Sequence, residues 1–193
     1  MHCERNCWIS NRGLEGAFVS TLGELKFTLP AMRMLENEHR YLSYLMQEWH
    51  AHVLWFEGEG LSLAEGRRRL VELRRLIREF MIPLNKHTEK EEKYFFPMLG
   101  AYIGFEQGPL VGIQEEHKEI DAFIGHFLHH TDDEPEKLPL MAIQAAVRDA
   151  GEAFEILTVH FVKEEAVIYP MAEQQLSAKD QERLNEQLNT LIT

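Results

Sequence analysis

Two stretches hold the residues best suited to chemistry. His87 to Met98 reads HTEKEEKYFFPM and His160 to Met171 reads HFVKEEAVIYPM, so both follow one template, H-x-x-x-E-E-x-x-x-x-P-M. On a helix, residues four apart share a face about one turn apart, which sets His87 over Glu91 and His160 over Glu164. Apolar residues flank each pair at helical spacing, Phe80, Leu84, Tyr94, Phe95 and Met98 in the first copy, Ile156, Leu157, Val167, Ile168 and Met171 in the second. Such stripes face a core. A carboxylate pointing into a core must be protonated, hydrogen-bonded, ion-paired or bound to a metal, and matched pairs favour the metal.

His39 and His117 fall on the apolar stripes of two other helical segments. The resulting six donors, His39, His87, Glu91, His117, His160 and Glu164, exceed what one zinc ion usually takes. They suit two metals, each bound by two imidazoles, with the glutamates as bridges and room left for an oxo or hydroxo bridge and an exogenous ligand. Two divalent ions carry more charge than two glutamates cancel, and the residue favours a small anion or dioxygen undergoing reduction. Mixed nitrogen and carboxylate ligation with open positions is the preference of redox-active non-haem iron, with manganese and zinc as alternatives. Ferritin-like bundles instead combine a lone glutamate with Glu-x-x-His, so the site here is richer in nitrogen.

The elements that must position these donors are helical throughout. Thr28 and Pro30 mark a helix start, and Met32, Leu35, Leu42, Met46 and Val53 keep its period to about Phe56. Ser62 and Glu65 form a capping box for a second helix, which carries Leu70, Leu73, Ile77 and Phe80 inward, contains Pro83 as a candidate kink and ends at or just past Pro97. Arginines 67, 68, 69, 74, 75 and 78 alternate with Glu65, Glu72 and Glu79, which predicts a solvated, ion-paired face. A third helix opens at Pro109 with Leu110, Ile113, Ile120, Ile124, Phe127 and Leu128 inward; a fourth runs from about Leu138 to Pro170. Ser177 and Asp180 cap a short fifth with Leu184, Leu188 and Leu191 inward. The expected fold is all-α, an up-down four-helix bundle with a short extra C-terminal helix, in which the two helical hairpins are copies about a pseudo-two-fold axis. Residues 1–29 read as a loosely structured arm and residues 30–193 as the bundle.

His39, then HTEKEE from His87, EEH ending at His117 and HFVKEE from His160 resemble the hemerythrin family of cation-binding four-helix bundles, over about Pro30 to Met171. The resemblance implies a hemerythrin-like bundle with a non-haem di-iron centre, bridged by two carboxylates, that engages dioxygen, nitric oxide or peroxide. It is closest to the branch resembling the iron–sulfur cluster repair proteins, which also use four histidines and two glutamates. Two departures stand out. Oxygen carriers have a further histidine one turn after the third-helix ligand, where this chain has Asp121, a candidate additional ligand or a partner of the ligands. The repair proteins also begin with a small extra domain that the N-terminal arm does not match. The implied function is binding or reduction of a small diatomic or peroxide in stress response or iron–sulfur repair, with a redox or iron–sulfur protein as macromolecular partner. The alternative is a non-catalytic role in oxygen or iron sensing, storage or carriage.

Glu92 and Glu165 point away from the ligand face and are expected in solvent or against the ligands from outside, while Glu38 and Glu116 precede their histidines in both halves and suit a polar path. His50 is assigned to packing, and His52, His126, His129 and His130 to the surface. Cys3 and Cys7 sit beside His2 in the N-terminal arm, where free thiols are the expectation. A formal charge of −12 argues against nucleic acid and anionic membranes as partners. No apolar run approaches the roughly 20 residues of a membrane span, and the expected location is cytoplasmic.

Overall fold

The computed structural model describes residues 24–105, 108–132 and 137–190. Helix α1 spans Pro30–Phe56 and α2 Leu63–Lys90; α2 continues through a π-helical segment, π1 (Glu91–Phe95), into α3 (Phe96–Ile103). Helix α4 spans Pro109–His130, and α5 (Leu140–Lys163) continues through π2 (Glu164–Ile168) into α6 (Tyr169–Gln175). Helix α7 spans Ala178–Asn189, and the described residues contain no strand. Helix α1 packs on α2 and α5, and α4 on α5, giving two hairpins in one bundle.

The two π segments begin at Glu91 and Glu164, the same place in each copy of the template. Regular helical spacing does not anticipate them, and the prolines supply the physical cause. Pro97 has no N–H, and in a regular helix its ring would collide with the carbonyl of Lys93; Pro170 stands in the same relation to Ala166. The helix widens instead, with Phe96 N–H bonding to the carbonyl of Glu91 and Tyr169 N–H to that of Glu164, each five residues back. Neither rod therefore stops at its proline. The first runs on to Ile103, where an end at or just past Pro97 is expected, and the second to Gln175, past the end expected at Pro170. The widening also re-phases the inner face. Val167, expected inward, is 44% exposed, while Phe95, Phe96, Ile168 and Tyr169 are all buried. Pro83 lies inside α2, which runs through it unbroken.

Two apolar cores fill the bundle. One gathers Leu42, Met46, Trp49, Phe80, Ile124, Ala150 and Leu157, and the other gathers Met32, Leu35, Phe95, Phe96, Leu110, Tyr169 and Leu184. Along α1 the buried residues run Met32, Leu35, His39, Leu42, Met46, so the histidine layer lies between the two cores. Leu184 and Leu188 of α7 cover the second core, and Ser177 accepts from the Asp180 N–H as the cap of that helix.

Three local expectations change. Thr28 does not cap α1, whose N-cap is Leu29; its hydroxyl donates to Glu173 at 2.9 Å. The last residues of the arm are pinned, because the Thr28 and Leu29 amides donate to Glu173 and the Lys26 amide donates to the buried Glu36 at 2.8 Å. The remainder of the arm, with Cys3 and Cys7, lies outside the described residues. Arg68, Arg69 and Arg75 form the expected ion pairs with Glu65, Glu72 and Glu79. Arg74, however, is buried and donates to the Leu128 carbonyl at 2.7 Å, to Thr131 and to Asp132. A guanidinium there satisfies the Leu128 carbonyl at the α4 C-terminus, where positive charge is favoured.

Two predictions follow from this packing. Arg74→Met keeps the apolar stem but strands those acceptors, and should lower unfolding stability by about 2 kcal/mol in a denaturant titration. Glu173 is opposed by its partial burial, yet the Leu29 and Thr28 hydrogen bonds hold its carboxyl below the ordinary value. Its stabilisation is therefore complete above the unfolded carboxyl range and is lost as pH falls below that range through the lowered folded value. Amide exchange at Thr28 and Leu29, corrected for intrinsic rates, should speed up on acidification below about pH 4.5.

Candidate metal centre

Four histidines from four helices meet in the layer between the cores. His39 comes from α1, His87 from the end of α2, His117 from α4 and His160 from the end of α5, and all four are buried. Their Nε2 atoms face each other in two pairs, His39 to His87 at 3.0 Å and His117 to His160 at 3.1 Å. Glu91 and Glu164, fully buried where the π segments begin, lie between the pairs. Glu164 Oε2 is 3.1 Å from His39 Nε2 and 3.4 Å from His160 Nε2; Glu91 Oε2 is 3.4 Å from His87 Nε2 and 3.6 Å from His117 Nε2. Each carboxylate thus reaches one histidine from each half.

The other nitrogen of every one of these rings is occupied. His39 Nδ1–H donates to Glu165 at 3.2 Å, His87 to Glu38 at 3.0 Å, His117 to Glu92 at 2.9 Å and His160 to Glu116 at 3.0 Å. These bonds fix the tautomer, with the proton on Nδ1 and the Nε2 lone pair turned inward. Lys90 in turn holds Glu38, Lys163 holds Glu116, and Lys26 holds Glu165 at 2.7 Å. Glu38, Glu92, Glu116 and Glu165 therefore serve the ligands from outside. The lysines were missed in the template, although a lysine stands third after the histidine in both copies.

The electrostatics match this arrangement. Burial pushes the His39 imidazole below its ordinary value and takes His160 down to about 4, so both rings are neutral at neutral pH. His117 is also opposed by burial, but Glu91 and Glu92 raise it. Burial works against the Glu165 carboxylate too, yet His39 and Lys26 hold it down at about 2. Burial and the adjacent Glu91 drive the Glu164 carboxyl well up, as expected for two carboxylates sharing one enclosed space.

These residues fit a metal. Two inward lone pairs at 3.0 Å repel unless a cation lies between them, and Glu91 Oε2 and both oxygens of Glu164 are buried with no hydrogen-bond partner. An unsatisfied buried polar atom costs about 1–3 kcal/mol, more when charged. Among the described residues, two donor sets lie close enough to hold an ion, His39, His87, Glu91 and Glu164, and Glu91, His117, His160 and Glu164. The glutamates are common to both. The hemerythrin HHE cation binding domain matches residues 30–172. The chain belongs to the hemerythrin family. Comparison with curated proteins and with solved structures returns no match.

The remaining candidates lie outside the two donor sets. Asp121 is on the exposed side of α4, outside both donor sets, lining a surface pocket with Asn85, Thr88, Glu89, Glu92 and Lys93. His50 stacks on Phe154 at 3.5 Å in the other half of the bundle. His126, His129 and His130 are exposed, as expected, and His52 is half-buried. No helix among the described residues is long and apolar enough to cross a membrane.

Tyr169 is a residue of the site that sequence reasoning missed. Its ring is fully buried, and its hydroxyl lies 3.0 Å from His39 Nε2 and donates to Glu91 Oε1 at 3.1 Å. From Glu164, regular spacing turns Val167 and Ile168 inward, and only the π segment brings Tyr169 round.

The outer carboxylates generate a direct test. Glu38→Gln and Glu116→Gln each replace a charged acceptor of a ligand imidazole and should weaken metal binding by about 10–100-fold, equally in the two halves. Glu89→Gln, on an exposed residue, should leave affinity unchanged. Chelator competition on the three variants makes the measurement.

Proposed function

We propose that the chain is a non-haem di-iron protein in which His39, His87, His117 and His160 hold two ions in pairs and Glu91 and Glu164 bridge them. The observation that carries this reading is the sharing of both glutamates between the two donor sets, with buried oxygens that no protein group satisfies. A one-metal site has no use for two mutually repelling carboxylates placed symmetrically between two histidine pairs. Iron supplies redox chemistry at such a mixed nitrogen and oxygen site. The chain's own residues keep the imidazoles aimed, exclude bulk water and close the layer with apolar cores above and below.

The small molecule we assign to this centre is a diatomic such as nitric oxide or dioxygen, or peroxide. Four histidines without a fifth, Asp121 being outside the donor sets, support the comparison with iron–sulfur cluster repair proteins over that with reversible oxygen carriers. On that ground we place the activity with turnover of nitric oxide or peroxide in a stress response.

Anaerobic reconstitution should load two iron equivalents per chain, and the reduced protein should change its optical spectrum on exposure to nitric oxide and to oxygen. Saturation at one tightly bound equivalent would falsify the two-metal reading, and stable oxygen uptake with release of intact oxygen would replace turnover by carriage. Glu91→Ala and Glu164→Ala should each lower occupancy at both positions together. Loss of a single equivalent in either variant would make that glutamate a terminal ligand.

A further inference from the structure

The two halves of the centre are close copies, which makes their differences informative. Phe96 and Tyr169 hold the same place in the template, immediately before its proline. Each ring lies nearly parallel to the α1- or α4-derived histidine of one pair, Phe96 on His117 at 5.9 Å and 21°, Tyr169 on His39 at 5.4 Å and 23°. The rings differ by one hydroxyl, and that hydroxyl is inside the donor layer. It is 3.0 Å from His39 Nε2 and 3.1 Å from Glu91 Oε1, two residues of the donor set His39, His87, Glu91 and Glu164. The counterpart of the bonded Glu91 Oε1 is Glu164 Oε1, which has no partner.

Donors around one ion have characteristic separations. With bonds of about 2.1 Å, neighbouring donors stand about 3.0 Å apart in an octahedron and about 3.4 Å apart in a tetrahedron. His39 Nε2 to His87 Nε2, His39 Nε2 to Glu164 Oε2 and His39 Nε2 to the Tyr169 oxygen measure 3.0, 3.1 and 3.0 Å, all at the octahedral spacing. A phenol serving only as packing would not need its oxygen at that spacing from two separate ligands.

We infer that Tyr169 is a seventh protein donor of the centre, its phenolate oxygen binding the ion held by His39 and His87. The inference rests on the di-iron reading above. On binding, the phenol releases its proton to solvent, as other acidic ligands do when a metal arrives. One ion then has an additional oxygen donor, while the ion of His117 and His160 faces the bare ring of Phe96. The centre is asymmetric although its scaffold is a repeat.

The test uses the full chain loaded with ferric iron, with the iron counted in the same sample. Visible absorption and resonance Raman spectra should show a tyrosinate-to-iron charge-transfer band with phenolate ring modes. Tyr169→Phe should keep both irons and lose the band. Phe96→Tyr, which leaves the native tyrosine in place, should add a second tyrosinate component, and it tests the geometry even if Tyr169→Phe folds poorly. Two bound irons without a tyrosinate band in the wild-type protein would overturn the inference and leave the di-iron reading intact. Persistence of the band in Tyr169→Phe would assign it to another tyrosine and overturn it equally. A wild-type chain that takes up no iron would sink the di-iron reading and this inference with it.

Discussion

Four imidazole lone pairs turned toward one another in the interior of a bundle form the constraint on which the rest of the molecule depends. Left alone they repel, and the two carboxylates between them are short of hydrogen-bond partners. The surroundings hold this arrangement rather than relieve it. Every Nδ1–H has a glutamate, and three of those glutamates have a lysine. Apolar packing on both sides keeps water out, so the polar layer can be balanced only by what binds there.

Much of this was legible in the sequence, for definite reasons. A histidine and a glutamate four apart share a helix face whatever the surroundings, and a second copy of the template turned one suggestive pair into a site. The starts of α1 and α4 were marked by Pro30 and Pro109 and those of α2 and α7 by Ser62 and Ser177, because capping and proline chemistry are local. What escaped was whatever depends on the helix not being regular. An α-helical period assigns Val167 to the core and gives Tyr169 no role, and a single widened turn reverses both assignments. Arg74 escaped for another reason. Its partners, Leu128, Thr131 and Asp132, are far away in the chain, and nothing within its own helix separates it from the solvated arginines around it.

The duplication is closest near the ligands and loosens outward. Histidines, glutamates and the template lysines keep their places in both halves, but the residues around them do not. Phe161 stacks on His39 at 4.2 Å, while its counterpart is the much smaller Thr88. Glu165 is held by Lys26 from outside the repeat. Ser43 and Asp121 occupy equivalent positions in the two surface pockets that flank the centre, one walled by Met46, Phe154, Phe161 and Val162, the other by Asn85, Glu89 and Lys93. The same six-donor frame thus has a largely apolar flank on one side and a polar flank on the other.

The π segments have a consequence for the length of the chain. Each rod uses one residue more between its glutamate and its proline than a regular helix would need, and that residue sets the angular phase of everything downstream. Deleting a single residue there would return the rod to ordinary pitch with Phe96 or Tyr169 one regular turn after the ligand glutamate, on the same face. Ordinary pitch without the deletion would instead swing α3 or α6 by about 100° and take Phe96 or Tyr169 out of the ligand layer. The widened turn and the extra residue that it absorbs are therefore as much a part of the site as the glutamate.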